Sequence, residues 1–287
     1  MTRDRLRLAI PNKGRMVDPA LALLHDAGLV FDEHDRSLVA HVSNYELDIL
    51  FVRTTDVIEF VRDGVAELGI TGLDLLAESG VELEQVRTLG FGQCRLAVAV
   101  ANDAPYDQVS DLRGLRVATA HPASARRFFD KERVEVDVIA LSGAVEVAPR
   151  LGLAEAIVDL VSTGSTLAMN GLRPIADVLE SQAVLVASPD AMNGHAPKMA
   201  AIETMLSAVL AARGRKYLMM NAPASHLQEL EALLPGLESP SVIPLAHEGM
   251  IAVHSVVGAD DVWDLLPRLK AAGASGILVL PIEKIVA

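Results

Sequence analysis

Short apolar runs alternate with amphipathic stretches over the first two-thirds of the chain. Residues 5–10 alternate Arg and Leu and end in Ile10, which is the period of a strand. A polar turn follows, Pro11-Asn12-Lys13-Gly14-Arg15. A helical pattern then runs to about Ala27 and stops at Gly28, a usual C-terminal cap. Strands are predicted at 46–52 and 67–71, and helices at 56–63 and 73–79, each helix stopped by a glycine. The pattern restarts after Gly90, with strands at 95–100, 116–120, 136–141, 154–161 and 183–187 and helices at 123–132 and 143–151. Strands alternating with helices of this length imply parallel pairing. The helix predicted at 197–213 carries Met199, Ile202, Leu206 and Val209 on one face, spaced 3, 4 and 3.

A linker is predicted at 212–216, and the rhythm changes after it. Strands at 217–220, 241–245, 250–257 and 276–281, with helices at 224–234 and 260–272, give the order βαββαβ, that of a ferredoxin-like sandwich.

Composition narrows this α/β reading. The chain has 287 residues, 51 % hydrophobic but only 3 % aromatic, so its core is built from Ala, Val, Leu and Ile, which suits buried parallel strands. Twenty-five basic and 38 acidic side chains leave a net charge of −13. That excludes nucleic-acid binding through a general basic surface, although a small basic pocket for a phosphorylated metabolite remains possible. A single cysteine, Cys94, excludes a disulfide framework and a multi-cysteine metal site. Residues 1–7 are polar and charged, and no apolar run approaches the ~18 residues that span a bilayer. The expectation is a cytoplasmic protein without membrane contact.

The most informative segment is 159–166. A strand rich in apolar residues runs through Asp159 into Ser162, Thr163, Gly164, Ser165 and Thr166, and a short helix is predicted at 167–170. Small residues let backbone N–H groups point inward, hydroxyls add donors, and a helix start adds a positive end, which together suit a phosphate. Asp159, at the strand end, is placed to accept hydrogen bonds from ribose hydroxyls or to touch a metal-bound water. Local pattern alone leaves an ordinary Ser/Thr-rich turn open. Lys13 and Arg15 open a helix at another strand end, and Arg53 follows the strand at 46–52. Three cations at such positions in an acidic chain point to an anion site, since ligands of open α/β sheets favour that edge; solvated basic turns are the alternative.

Other signals are weaker. Gly90-Phe91-Gly92 lacks the third glycine of a dinucleotide fingerprint, Arg95 standing in its place. The eight His residues show no metal-ligand spacing, His121, at a strand end before Pro122, reads as a helix cap with a place near the site as the alternative, and Cys94 reads as packed. Nothing demands a covalent nucleophile.

Residues 155–167, with Asn170-Gly171-Leu172 behind them, closely resemble the signature of the ATP phosphoribosyltransferase family, pentosyltransferases that open histidine biosynthesis. Leu8 to Arg15, Val52-Arg53 with Asp56, Leu68-Gly69-Ile70-Thr71-Gly72, Cys94-Arg95-Leu96 and Ser142-Gly143-Ala144-Val145-Glu146 are similar to the family as well. Leu237-Glu238-Ser239-Pro240-Ser241 resembles the long form that carries a regulatory domain. The resemblance spans essentially the whole chain. It implies two periplasmic-binding-protein-like catalytic lobes around a cleft, one formed by 1–90 with 183–211 and the other by 91–182, and a ferredoxin-like, ACT-like regulatory domain at 212–287.

The resemblance further implies that an adenine nitrogen of ATP displaces pyrophosphate, with inversion, from 5-phosphoribosyl 1-pyrophosphate. Ser162, Thr163, Gly164, Ser165 and Thr166 would hold the 5-phosphate. Asp159 and Glu146 would act at the ribose hydroxyls or the solvated metal, Mg2+, itself held mainly by pyrophosphate. Lys13, Arg15 and Arg53 would face the triphosphate or pyrophosphate, with Asp74 and Arg95 as cleft wall. Histidine, the implied inhibitor, would meet Asn221, Glu238, Ser239, Ser241 and Ala274 and favour a homohexamer built from homodimers. At Asn221 the neutral amide stands where an acidic partner for the histidine amino group is expected. A solute-binding protein and a prephenate dehydratase share the architecture, but the first calls for an export signal and the second has no use for the phosphate loop.

Overall fold

The computed structural model describes residues 5–32, 38–189, 191, 195–234 and 239–286. The chain forms two compact units, 1–25 with 29–200, and 26–28 with 201–287.

The first unit is built on two sheets. One has the order β2-β3-β1-β4-β11-β5, from β1 (Leu6–Pro11), β2 (Val39–His41), β3 (Leu47–Val52), β4 (Leu68–Gly72), β5 (Glu84–Thr88) and β11 (Ala183–Ala187). The other has the order β10-β6-β9-β7-β8, from β6 (Cys94–Ala101), β7 (Arg116–Thr119), β8 (Asp137–Ala140), β9 (Ala156–Val161) and β10 (Leu172–Ser181). β1 runs parallel to β3 and β4, whereas β11 returns antiparallel between β4 and β5. The chain therefore crosses between the sheets twice, at 89–93 and at Gln182. Its first crossing holds Gly90 and Gly92, both at positive φ (+67° and +70°) that an L-residue avoids. This is the two-lobed solute-binding-protein architecture.

Helices α1 (Val17–Asp26), α2 (Val57–Arg62) and α3 (Leu73–Ser79) belong with the first sheet by chain order, and α4 (Pro122–Glu132) and α5 (Ser165–Met169) with the second. The core is aliphatic, as the composition requires: Leu6, Leu8, Ile10, Leu47, Ile49 and Ile70 are fully buried. Phe129 on α4 is the largest fully buried side chain among the described residues. Phe129→Ala is expected to destabilise the protein by about 3–5 kcal/mol, the usual result of truncating a buried phenylalanine; a urea melt measures it. Helix α6 (Ala196–Ala212) buries Met199, Ile202, Leu206 and Val209, the predicted face.

In the second unit, β12 (Arg215–Pro223), β13 (Ser241–Pro244), β14 (Met250–Gly258) and β15 (Ser275–Pro281) form an antiparallel sheet in the order β13-β14-β12-β15. Helices α7 (Leu227–Leu233) and α8 (Val262–Ala271) complete the ferredoxin-like order, and Leu218, Met220, Leu230, Val253, Leu265 and Leu269 make its core.

Three expectations are corrected. No helix fills 143–151. Only a 3-10 turn at Val145–Val147 forms, because Ala144 is left-handed (φ +51°) and Pro149 supplies no N–H to extend a helix. The segment 212–216 is no plain linker, since β12 begins at Arg215. Strands β2, β5 and β10 were not expected from the pattern. Among the described residues, no helix is long and apolar enough to cross a membrane.

Candidate active site

A cavity of about 620 Å³ opens between the two lobes, lined by Leu73 and Gln182 at the first lobe and the return crossing, and by Cys94, Arg95, Ser162, Thr163 and Gly164 from the second. β9 is buried between β6 and β7 and delivers the loop to this cavity. Gly164 takes φ +80°, which turns the chain into α5. Ser162, Thr163, Ser165 and Thr166 are exposed, and the hydroxyls of Thr163 and Ser165 lie 2.9 Å apart. The loop thus offers hydroxyls and backbone donors to an anion while contributing no charge.

Its charge comes from the other lobe. Arg15, in the turn after β1, donates to Ser162 Oγ and to Cys94 Sγ, the latter at 2.9 Å. Arg15 is therefore brought to the phosphate loop. Cys94 is half-buried and lines the cavity instead of being packed away. Lys13 and Arg53 are exposed at neighbouring strand ends, where Pro11 pairs with Val52 and the Asn12 N–H donates to the Val52 carbonyl at 2.8 Å. Among the described residues, no hydrogen bond draws either of them to the loop. Arg95 lines the cavity and pairs with Asp177 at 3.1 Å.

Asp159 is half-buried near the end of β9, its Oδ1 accepting the Leu160 N–H at 2.8 Å. Burial pushes its carboxyl above the ordinary value. The Leu160 N–H opposes this, Glu146 repels the charge and adds to the rise, and His121 partly offsets it. Glu146 stands on the 3-10 turn, so the two carboxylates sense each other. Glu155, one residue before β9, does a structural job: it takes Arg116 N–H groups from backbone and side chain, which pulls its carboxyl down to about 2. Among the described residues no group of three His, Cys, Asp or Glu could hold a metal ion.

Asp74 is not open to the cavity. It is 5 % exposed; the Ser181 hydroxyl donates to its Oδ1 at 2.6 Å, and His121 Nε2 lies 3.6 Å from its Oδ2. Burial alone raises the Asp74 carboxyl, but His121 and Ser181 outweigh it and hold it below the ordinary value. His121 occupies the cap position of α4 without capping it. Glu78 does that, accepting the Ala123 and Ser124 N–H groups at 2.8 Å each. The spacing carried no sign of Glu78, because its partners lie more than forty residues away.

In the second unit, Asn221 is exposed beside the turn that holds the buried Ala274, and its carbonyl accepts from Ser275 Oγ at 3.4 Å. Ser239 and Ser241 lie elsewhere on the unit, lining a cavity of about 610 Å³ with Arg215, Tyr217 and His254. Glu238 lies outside the described residues.

A two-lobed α/β cleft with an uncharged loop of hydroxyls and backbone donors on one side and an arginine reaching it from the other forms a candidate anion site. Comparison places it further. The family model described as ATP phosphoribosyltransferase matches residues 53–209, and that described as HisG, C-terminal domain, matches 212–284. ATP phosphoribosyltransferases of Methanosarcina barkeri and Gemmatimonas aurantiaca are 41 % and 45 % identical, each alignment covering 98 % of this chain and 99 % of the relative. The ATP phosphoribosyl transferase (HisG:HisZ) complex from Thermotoga maritima is similar in structure, with a TM-score of 0.62 at 27 % identity over 70 % of this chain and 96 % of that one. The chain belongs to the ATP phosphoribosyltransferase family, enzymes of histidine biosynthesis.

Proposed function

We propose that the cleft joins ATP to 5-phosphoribosyl 1-pyrophosphate with the roles that follow. The observation that carries the reading is the exposed loop 162–166 at the cavity with Arg15 already against it. The loop takes the 5-phosphate of the donor. Arg15 serves the donor's phosphates and not ATP, and Lys13 and Arg53 face the triphosphate. Asp159 and Glu146 accept hydrogen bonds from the ribose hydroxyls. As pyrophosphate departs, the ribose gains positive charge, which these carboxylates stabilise, while the negative charge on the leaving group meets the cations. Rate enhancement then comes from positioning and fixed electrostatics.

The donor set suits a hard cation that brings most of its own ligands: Asp159 and Glu146 present carboxylate oxygens that would reach Mg2+ through water. The ion would neutralise the pyrophosphate.

Histidine is proposed to inhibit by binding the second unit near Asn221 and the turn at Ala274, and the protein is proposed to work in the cytoplasm as a homodimer that assembles into a homohexamer. Purified protein mixed with ATP, the donor, magnesium and pyrophosphatase is expected to give product absorbance that falls on adding histidine. No product under any condition would sink the enzyme reading. Product unaffected by histidine removes the feedback proposal alone.

A further inference from the structure

His121 has no part in the reaction as described, yet it is placed as if it had one. The residue is 6 % exposed, and among the described residues its Nδ1 has no hydrogen-bond partner. A buried ring nitrogen left unpaired weakens a fold, so stability does not account for it. Its Nε2 faces Asp74 Oδ2 at 3.6 Å. Asp74 lies in the first turn of α3, a helix of the first lobe, whose N-terminus is fastened to the return crossing. The Leu73 N–H donates to the Gln182 carbonyl at 3.0 Å, and the Asp74 N–H to Ser181 Oγ at 2.9 Å. Two further ties join α3 to α4: Glu78 on the α4 N-terminus, and Arg127 donating to the Ala77 carbonyl.

From His121 the path continues to the donor site. The His121 N–H donates to Thr119 Oγ1 at 2.9 Å, and Thr119 pairs with Val158 on β9, the residue before Asp159. Crossing, α3, His121 and the Asp159 strand end are thus one connected series of contacts.

We propose that His121 is a positioning residue for the transferase reaction, which through Asp74 sets the first lobe and the crossing against the strand end that carries Asp159. The proposal rests on the assignment of Asp159 and the 162–166 loop to the donor. The 162–166 loop belongs wholly to the second lobe and Arg15 reaches it from the first, so binding of the donor alone depends less on the tie than does bringing ATP on the first lobe to the anomeric carbon. A misplacement of that kind lowers turnover.

The test compares His121→Gln, Asp74→Asn and the double variant in the full-length protein. Turnover is expected to fall about tenfold in each single variant, and no further in the double, because residues of one coupled unit are non-additive. The dissociation constant for 5-phosphoribosyl 1-pyrophosphate with magnesium, by calorimetry, is expected to move less than about twofold. Unchanged turnover, multiplied losses in the double variant, or donor binding weakened as much as turnover overturns the proposal. His121→Ala with a thermal melt separates a folding defect, which lowers donor binding and melting temperature together. If Gly164→Val leaves donor binding intact, it is the loop assignment that fails, whatever His121 does.

Discussion

Replacing Gly164 by valine is expected to raise the apparent KM for 5-phosphoribosyl 1-pyrophosphate roughly 100-fold and that for ATP less than about threefold. The cause is backbone, not crowding. A Cβ at Gly164 meets nothing within 4 Å, so no neighbour resists the substitution. What resists is φ +80°, which a β-branched residue does not tolerate. The chain relieves itself by turning the peptide units around 164, and those units carry N–H groups proposed to meet the donor's 5-phosphate. Strain of about 1–3 kcal/mol and one lost donor suffice for an effect of this size. ATP should be spared, because the cations proposed for it, Lys13 and Arg53, follow strand ends of the other lobe. Gly171→Val is the control. It sits at φ +69° beyond α5, again with nothing within 4 Å, and carries the same strain without the loop. Donor KM in that variant should stay within about twofold. Steady-state kinetics with each substrate varied in turn decides it, and an equal change for both substrates contradicts the loop assignment.

Among the strands that the hydrophobic pattern predicts, β9 and β11 are the interior strands most clearly marked. β9 and β11 read as apolar runs because helices or neighbouring strands cover them, and apolar side chains are what burial demands. The strands it misses lie at or near sheet edges. β10 carries Pro174, Arg173 and Asp177, is the edge of its sheet, and is bulged between Pro174 and Ala176 and again between Asp177 and Leu179. An edge tolerates proline and charge, and each bulge breaks the two-residue period that would reveal it. β5, Glu-Gln-Val-Arg-Thr, is an edge as well. The loop at 162–166 stands out as a candidate for a local reason: its hydroxyls, glycine and helix start are contiguous in one segment. Arg15 on Ser162 joins positions 147 residues apart, and spacing along a chain says nothing of such a meeting. The contacts of Asp74 mislead in the same way. A polar residue opening a helix at a strand end has the pattern of a ligand contact, and only the fold shows that its carboxylate is taken by Ser181 and His121.

Asp159→Asn is expected to lower turnover by about 100- to 1000-fold, the scale of removing one fixed electrostatic group from a transition state, without lowering the melting temperature at pH 7. The two halves have one cause. Burial and Glu146 raise the Asp159 carboxyl above its ordinary value. A raised value means that the folded protein holds the proton more tightly than the unfolded chain, so the ionised carboxylate weakens the fold at neutral pH, and that weakening fades as pH falls through the raised value. Asparagine removes the buried charge and the repulsion from Glu146 together, so stability is retained or gained. In its proposed role Asp159 must carry the charge that the fold resists, because the carboxylate is there to stabilise positive charge on the ribose. It follows that kcat/KM declines on the acid side as Asp159 takes up its proton, at a pH above the ordinary aspartate value. Glu146→Gln takes away the repelling charge and should move this acid limb to lower pH, whatever it does to the maximum rate. Thermal melts at pH 7 and pH–rate profiles of the three proteins test the argument. A clear loss of melting temperature in Asp159→Asn, or an acid limb that stays in place in Glu146→Gln, would show that Asp159 is not the strained carboxylate of the donor site.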